Sequence, residues 1–294
     1  RLTSVTDALS QVTSYGYDEQ GNLVRQTDAN NHSTTFEYDS MGRRVKRTLP
    51  EGQVEPYSYD VVGNMTNKVD FNGKVTTFAY DELNRLTAKI PDASFAASNI
   101  LFTYTDSGQR QTMSDQSGVT TYSYDDRDRL MEKATPQGTL SYAYDPHGNL
   151  TNLQVSSFEF PVSYSYDSLN RLHSVLDPHT GLTAYNYDDV GNLRDFILPN
   201  GVNQVYDYDT LNRLTNLVVN SLTTPIESYR YTLGPSGHRL AVQEGNGRQV
   251  TYQYDNLYRL TKERILGASP LGDVSYGFDP VGNRLAMTST VFGI

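Results

Sequence analysis

Aromatic residues recur along this chain in pairs whose members are separated by one residue, and a polar turn signal follows each pair. About thirteen such copies, beginning with Tyr15, Phe36 and Tyr57, follow one another at intervals of 20 to 24 residues. All 26 positions of these pairs are aromatic, with 22 Tyr and 4 Phe. Side chains alternate between the two faces of a strand, so both members of a pair lie on one face. The pattern predicts one strand per copy with an aromatic face, and a second face of small or polar residues.

Turn residues follow each pair. The first is usually Asp, as at Asp18, Asp39 and Asp60. An Asp that opens a type I turn accepts hydrogen bonds from the backbone ahead of it. Three residues later stands Gly, Asn or Asp, which tolerate a positive φ, and Tyr258 breaks this rule. A type I turn closed by such a residue is a common hairpin connection, so a return strand is predicted to follow.

A second turn signal lies midway through each period, for example at Pro50-Glu51-Gly52 and Pro199-Asn200-Gly201. No pattern of helical period competes with these strands. We predict an all-β fold in which tandem antiparallel β-hairpins form a meander of roughly 25 short strands. It is expected to be a single array over residues 1–294. Arg1-Leu2 matches the end of a preceding copy, which favours a segment of a longer repeat chain.

A longer period appears at the position after the Gly or Asn. Arg stands there in every even copy, and Asn, Gln or His in every odd copy: Asn22, Arg43, Asn64, Arg85, Gln109, Arg129, Asn149, Arg171, Asn192, Arg213, His238, Arg259 and Asn283. We hypothesise that each Arg bridges to the turn Asp of an adjacent hairpin and that its stem packs on a Tyr ring. The alternative is an exposed Arg that only adds solubility. This alternation indicates that the structural unit is a pair of successive copies.

Composition narrows the function classes. The net charge is -10, and no basic patch suggests nucleic acid as a partner. The chain has no Cys, which excludes disulfides and thiolate metal sites. No apolar run approaches the roughly 18 residues of a membrane span. Only 37% of residues are hydrophobic, which is low for a protein with an ordinary core.

The sequence contains no recognisable catalytic or metal-binding motif. The five His residues are scattered without ligand spacing: His32, His147, His173, His179 and His238. The Asp ladder supplies one carboxylate per turn, whereas Ca²⁺ takes about six to eight oxygens, so turn capping is favoured over calcium binding. The Tyr ladder resembles a carbohydrate platform, but no copy is singled out, which favours a structural role. We predict no catalytic, cofactor-binding or metal-binding residue, no cofactor and no enzymatic activity.

The units Y-x-Y-D-x-x-G-N-L and Y-x-Y-D-x-x-N-R-L closely resemble the RHS/YD repeat. This repeat occurs in bacterial Rhs polymorphic toxins, the C component of Tc toxin complexes, wall-associated proteins and teneurins. The resemblance covers essentially the whole chain. It implies a long sheet strip that spirals into a hollow shell, which in the toxins encloses a C-terminal effector. The toxins also carry a self-cleaving aspartyl segment that this sequence lacks, so neither autoproteolysis nor toxicity is carried over.

Two functions follow from the resemblance. The first is a non-catalytic wall segment of the shell of a secreted bacterial toxin, whose partners are neighbouring repeats of the same longer chain and an enclosed toxin domain. The second is an extracellular or cell-surface fibre or adhesin that binds carbohydrate. Both imply a secreted or cell-surface location in a bacterium. A closed hollow particle would favour the first function, and an extended filament the second.

Overall fold

The computed structural model describes residues 1–96, 98–222 and 224–291. These residues form 27 β-strands and no helix, which confirms the all-β prediction. In the described part of the chain, no helix is long and apolar enough to cross a membrane. Residue contacts divide the chain into two units, one of Arg1–Ala143 and Leu153–Glu159, the other of Tyr144–Asn152 and Phe160–Ile294. The single array over residues 1–294 stays a prediction.

The first unit is an antiparallel meander in which strands β1 to β14 pair with their neighbours in chain order. The strands are β1 Ser4–Thr6, β2 Val12–Tyr17, β3 Leu23–Thr27, β4 Ser33–Tyr38, β5 Arg44–Thr48, β6 Val54–Tyr59, β7 Met65–Val69, β8 Val75–Tyr80, β9 Leu86–Ile90, β10 Ile100–Tyr104, β11 Arg110–Asp115, β12 Gly118–Tyr124, β13 Leu130–Thr135 and β14 Gly138–Tyr144. The next strand, β15 Leu150–Val155, has residues in both units.

The second unit repeats this arrangement, because strands β16 to β27 also pair with their neighbours in chain order. These strands are β16 Val162–Tyr166, β17 Leu172–Asp177, β18 Gly181–Tyr187, β19 Leu193–Ile197, β20 Val202–Tyr208, β21 Leu214–Ser221, β22 Thr224–Leu233, β23 Arg239–Glu244, β24 Gln249–Tyr254, β25 Leu260–Leu266, β26 Gly272–Phe278 and β27 Arg284–Ser289. The strand that carries Tyr229 and Tyr231 continues to Leu233, and its turn opens at Gly234.

The hairpin turns have the predicted chemistry. At Asp39 the N–H of Gly42 donates to the Asp39 carbonyl at 3.0 Å, and the Asp39 N–H donates to the Arg43 carbonyl at 2.9 Å. Gly42 has φ 76°. Tyr258 adopts the same left-handed conformation with φ 58°, so the turn forms even where the sequence rule is broken. A β-bulge accompanies these turns in twelve hairpins, as the register shift between Glu37 and Tyr38 shows for one of them.

Very few side chains are buried. The buried hydrophobic residues among those described are Ala88, Val242, Val250, Ile265, Val274 and Val291. All but Ala88 form one cluster in the second unit, covered by Tyr229, Tyr231, Tyr252 and Tyr276. The low fraction of hydrophobic residues in the sequence agrees with this sparse burial, because a single sheet layer has no second layer to pack against. Stability must come largely from hydrogen bonds and ring contacts between neighbouring hairpins.

Candidate functional site: the turn edge and the aromatic face

The turn edge is the row of turns that follow the aromatic pairs, opened by residues such as Asp18, Asp39 and Asp60. Each Asp there caps its own turn. One oxygen of Asp39, Oδ1, accepts from the backbone N–H groups of Met41 and Arg43, both at 2.9 Å. The Arg43 backbone bond, aided by the Arg43 side chain and opposed by desolvation, lowers the pKa of Asp39 below its ordinary value. These carboxylates therefore accept hydrogen bonds within their own turns, which is the turn-capping role that the sequence analysis favoured over calcium binding.

The Arg residues of the even copies link neighbouring hairpins. Arg43 donates from Nε to Oδ2 of Asp39 at 2.7 Å, and from Nη1 to the backbone carbonyl of Asp60 in the next hairpin at 2.8 Å. The same two bonds are made by Arg85 with Asp81 and Thr105, Arg171 with Asp167 and Asp188, Arg213 with Asp209 and Gly234, and Arg259 with Asp255 and Asp279.

The hypothesis of an Arg bridge between hairpins is right about the turn position reached and wrong about the atom. That position is Asp for Arg43, Arg171 and Arg259, but Thr105 or Gly234 in the other two cases. The carboxylate that binds the Arg side chain belongs to its own turn, because the turn brings the side chain four residues later onto Oδ2. In the next hairpin, the Arg side chain donates a hydrogen bond to a backbone carbonyl. The side chains of these Arg residues are between 20% and 29% exposed, so the alternative of a purely solubilising Arg is wrong.

Ring stacking accompanies the Arg link, as predicted. The Arg171 guanidinium lies 4.5 Å from the centre of the Tyr187 ring in the next hairpin. The corresponding distances are 5.0 Å for Arg43 over Tyr59, 4.7 Å for Arg85 over Tyr104 and 4.9 Å for Arg259 over Phe278. Each of these four guanidinium groups therefore makes an ion pair within its own turn, a hydrogen bond to the next hairpin and a cation–π contact.

Three Asn residues of the odd copies, Asn64, Asn149 and Asn192, make a second kind of link. Asn64 donates from Nδ2 to Oδ2 of its own Asp60 at 3.0 Å and to Oδ1 of Asn84 in the next hairpin at 2.8 Å. Asn149 and Asn192 reach Asn170 and Asn212 in the same way, both at 3.1 Å. Guanidinium–carbonyl and amide–amide links therefore alternate from Arg43 to Arg85 and from Asn149 to Arg213. This alternation is the physical reason for the two-copy period in the sequence.

The second aromatic residue of a pair forms a third link, which the sequence analysis missed. The Tyr187 hydroxyl donates to the Leu172 carbonyl of the preceding hairpin at 2.9 Å. Equivalent bonds are made by Tyr38, Tyr59, Tyr104, Tyr124, Tyr166, Tyr208 and Tyr254. The sequence held a signal for this bond: Phe stands at the first position of three pairs, but at the second position only in Phe278.

Glu55 is an unexpected buried charge on the aromatic face, which is the sheet face that carries the pairs. It is 4% exposed and accepts from Arg47 Nη2 at 3.1 Å and from Lys68 Nζ at 2.9 Å. The Tyr57 hydroxyl also donates to it. Burial acts to raise the Glu55 pKa, but these bonds outweigh it and lower the pKa below the ordinary value. Burial and the Glu55 bond raise the pKa of Tyr57 to about 12.

The His residues are dispersed in the structure as in the sequence. His32 lies 3.5 Å from Asp28, His179 lies 3.6 Å from Asp177, and His238 packs on Tyr254 and Tyr258. Within residues 1–96, 98–222 and 224–291, no group of three or more His, Cys, Asp or Glu side chains could hold a metal ion. The absence of catalytic, cofactor-binding and metal-binding residues stays a prediction.

Two shallow cavities open on the aromatic face. One, of about 440 Å³, is lined by Tyr38, Gly42, Arg44, Tyr57, Tyr59 and Met65. The other, of about 460 Å³, is lined by Arg213, Leu214, Tyr231, Leu233, Gly237, Arg239 and Tyr254. Both combine Tyr rings with Arg side chains.

Comparisons with known proteins agree with the repeat pattern. The RHS Repeat family model matches residues 1–31, 17–54 and 57–93, and the Teneurin YD-shell model matches residues 95–286. No curated protein matches the sequence. Among solved structures, the chain is similar to the TcdB2-TccC3-Cdc42 and TcdB2-TccC3-TEV crystal structures, both at 15% identity, with TM-scores of 0.55 and 0.53. The Photorhabdus luminescens Tc holotoxin pore gives 15% identity and a TM-score of 0.54. In all three cases the match covers 95% of this chain and 20% of the other.

Proposed function

We propose a wall-forming role from the premise that this chain belongs to the RHS/YD-repeat family. In this proposal it is a non-catalytic segment of a β-shell that encloses the C-terminal effector of a secreted bacterial Rhs/Tc-type toxin. One observation carries it: bonds of a few recurring kinds join each hairpin to its neighbour, such as Arg43 to the Asp60 carbonyl of the next hairpin and the Tyr187 hydroxyl to the Leu172 carbonyl of the preceding one.

The links between hairpins suit a wall that is one sheet thick. Backbone pairing joins neighbouring strands, and Arg171 adds a bond to the Asp188 carbonyl while Tyr187 binds the Leu172 carbonyl. These bonds reinforce contacts from one hairpin to the next and require no second layer. Repeat proteins gain stability from such interfaces between neighbours, so a long array can be built without a deep core.

The likeness to solved Tc toxin structures supports the sheet architecture of the proposal. At 15% identity it shows the fold alone, and the chain spans about a fifth of the length of those structures. The enclosed effector, the secreted location and the lack of catalysis therefore belong to the proposal. Its partners are neighbouring repeats of the same protein and an enclosed toxin domain.

Electron cryo-microscopy of the natural gene product that contains this sequence tests the proposal. We expect a closed hollow particle with protein density inside it, and these repeats in its wall. An extended filament, or a hollow particle without interior protein density, would overturn the toxin-container role.

The alternative is a cell-surface fibre or adhesin that binds carbohydrate. The cavities lined by Tyr and Arg favour it as a second candidate, because aromatic rings beside hydrogen-bond donors suit sugars. Binding of the chain to a glycan array, lost in Tyr57→Ala together with Tyr59→Ala, would support the adhesin. A filament without glycan binding would support the fibre alone.

A further inference from the structure

A row of cations lies on the aromatic face of the first unit. It occupies the position directly opposite the first aromatic residue of a pair, and it consists of Arg47 opposite Phe36, Lys68 opposite Tyr57, Lys89 opposite Phe78 and Lys133 opposite Tyr122. Residues opposite one another in an antiparallel sheet share a face. Cations and rings therefore stand side by side on this face.

The hairpin fold does not require cations at this position. In the second unit the same position is apolar in four copies, with Val175 opposite Tyr164, Phe196 opposite Tyr185, Leu217 opposite Tyr206 and Val242 opposite Tyr231. At the position opposite the first aromatic residue, the described cations are thus confined to the first unit, in a chain whose net charge is -10.

Two further cations extend the row toward the turn edge. Arg44 stacks on Phe36 at 5.0 Å and Arg110 stacks on Phe102 at 4.9 Å, which places both on the aromatic face. Both residues are exposed. Away from the turns, Glu55 is the one carboxylate on this face in the described strands of the first unit.

Glu55 shows how this face binds a carboxylate. Arg47, Lys68 and the Tyr57 hydroxyl surround it, and Arg47 is its direct partner across the strands. At the corresponding place, Lys89 is opposite Ile100 and Lys133 is opposite Leu140. Neither Lys residue, nor Arg110, makes an ion pair with a described residue.

We propose that the aromatic face of the first unit binds acidic, extended polypeptide segments, whose carboxylates pair with Lys89, Arg110 and Lys133. Hairpins recur every two strands, about 9.6 Å, and three residues of an extended chain span about 10 Å. A segment that crosses the strands with an acidic residue at every third position matches this spacing. Met113, opposite Phe102, interrupts the cationic row and suits an apolar side chain of the segment. The inference does not depend on whether the array closes into a shell.

Fluorescence anisotropy with the complete chain and a labelled peptide of about four Glu-Ser-Leu repeats tests this binding. Lys89→Gln with Lys133→Gln removes two unpaired cations from the aromatic face. We expect binding about tenfold weaker, since the loss of each exposed ion pair weakens binding about threefold to fivefold. The matched control is Arg25→Gln with Lys46→Gln, which removes two cations from the opposite face, where Arg25 lies across from Gly16 and Lys46 across from Glu37 in the strand register. Its affinity should change less than about twofold.

Three outcomes would overturn the proposal. The first is no peptide binding at low salt by a chain whose circular dichroism shows intact β-structure. The second is an equal loss of affinity in the control variant, which would indicate a general charge effect. The third is equally tight binding of single-stranded DNA, which would show a preference for polyanions and not for polypeptide.

Discussion

The two aromatic positions of a repeat have different roles, and replacing Tyr with Phe at each position in turn distinguishes them. Tyr187 and Tyr185 stand on the same face of β18, two residues apart. The Tyr187 hydroxyl donates to the Leu172 carbonyl at 2.9 Å. Tyr185 packs its ring 5.9 Å from Phe196, and its hydroxyl makes no hydrogen bond to a described residue. Tyr187→Phe therefore deletes a link between hairpins, and Tyr185→Phe is its control in the same strand.

The expected cost follows from the geometry of the bond. A hydrogen bond of normal length contributes about 1 kcal/mol net, and the Leu172 carbonyl loses its hydroxyl donor. We expect Tyr187→Phe to lower the free energy of unfolding by about 1 kcal/mol. Tyr208→Phe breaks the equivalent bond to Leu193. The two bonds have separate partners, so the double variant should lose about 2 kcal/mol.

Chemical denaturation followed by far-UV circular dichroism measures this difference as a shift of the midpoint. In a thermal unfolding experiment, each kcal/mol of lost unfolding free energy lowers Tm by about 2–4 °C for a unit of this size. Tyr185→Phe should leave the midpoint unchanged within error. Equal midpoints for Tyr187→Phe and Tyr185→Phe would refute the view that the hydroxyl fastens one hairpin to the next.

Three further predictions concern the turn edge. Arg171→Gln with Arg213→Gln should lower Tm, because each Arg loses its ion pair and its bond to the next hairpin; an unchanged Tm would contradict the link. Gly191→Ala should lower Tm because Gly191 has φ 96°, whereas Asn170→Gly, with Asn170 at φ 59°, should change it little. The folded-state pKa of Asp39 lies below its unfolded value, so the stability it contributes is complete above about pH 4 and is lost as pH falls through the folded pKa.

The acid prediction is checked by Tm at a series of pH values. Tm should be steady from about pH 7 to pH 5 and should fall below about pH 4. In Asp39→Asn the fall should be smaller than in the natural chain, because one depressed carboxyl has been removed. A Tm that already falls between pH 7 and pH 5 would contradict the assignment to turn carboxylates.

Local features of the fold were predictable from the sequence. An Asp followed three residues later by Gly or Asn is enough to specify a type I hairpin turn, and the alternation of side chains assigns the aromatic pairs to one face. Tyr258 shows the limit of such rules. Its φ of 58° is imposed by the strand pairing on both sides of the turn, although the residue itself disfavours it.

The contacts between hairpins were only partly predictable. The sequence showed that Arg and Asn alternate, but the partner of each depends on where the bulge and the twist of the sheet place a side chain about 17 to 21 residues away. The acceptor of the Tyr187 hydroxyl and the burial of Glu55 depend on the same placement. Neither can be deduced from a repeat considered alone.

The sequence by itself determined the all-β class, the hairpin unit, the turn positions and the two-copy period, because turn conformation and face alternation depend on residues close together in the chain. The tertiary structure decided which atoms join one hairpin to the next. It also decided that the first unit carries a row of cations opposite its aromatic residues, while the second unit places apolar residues at that position in four copies. These features depend on register between strands, which is fixed when neighbouring hairpins pair.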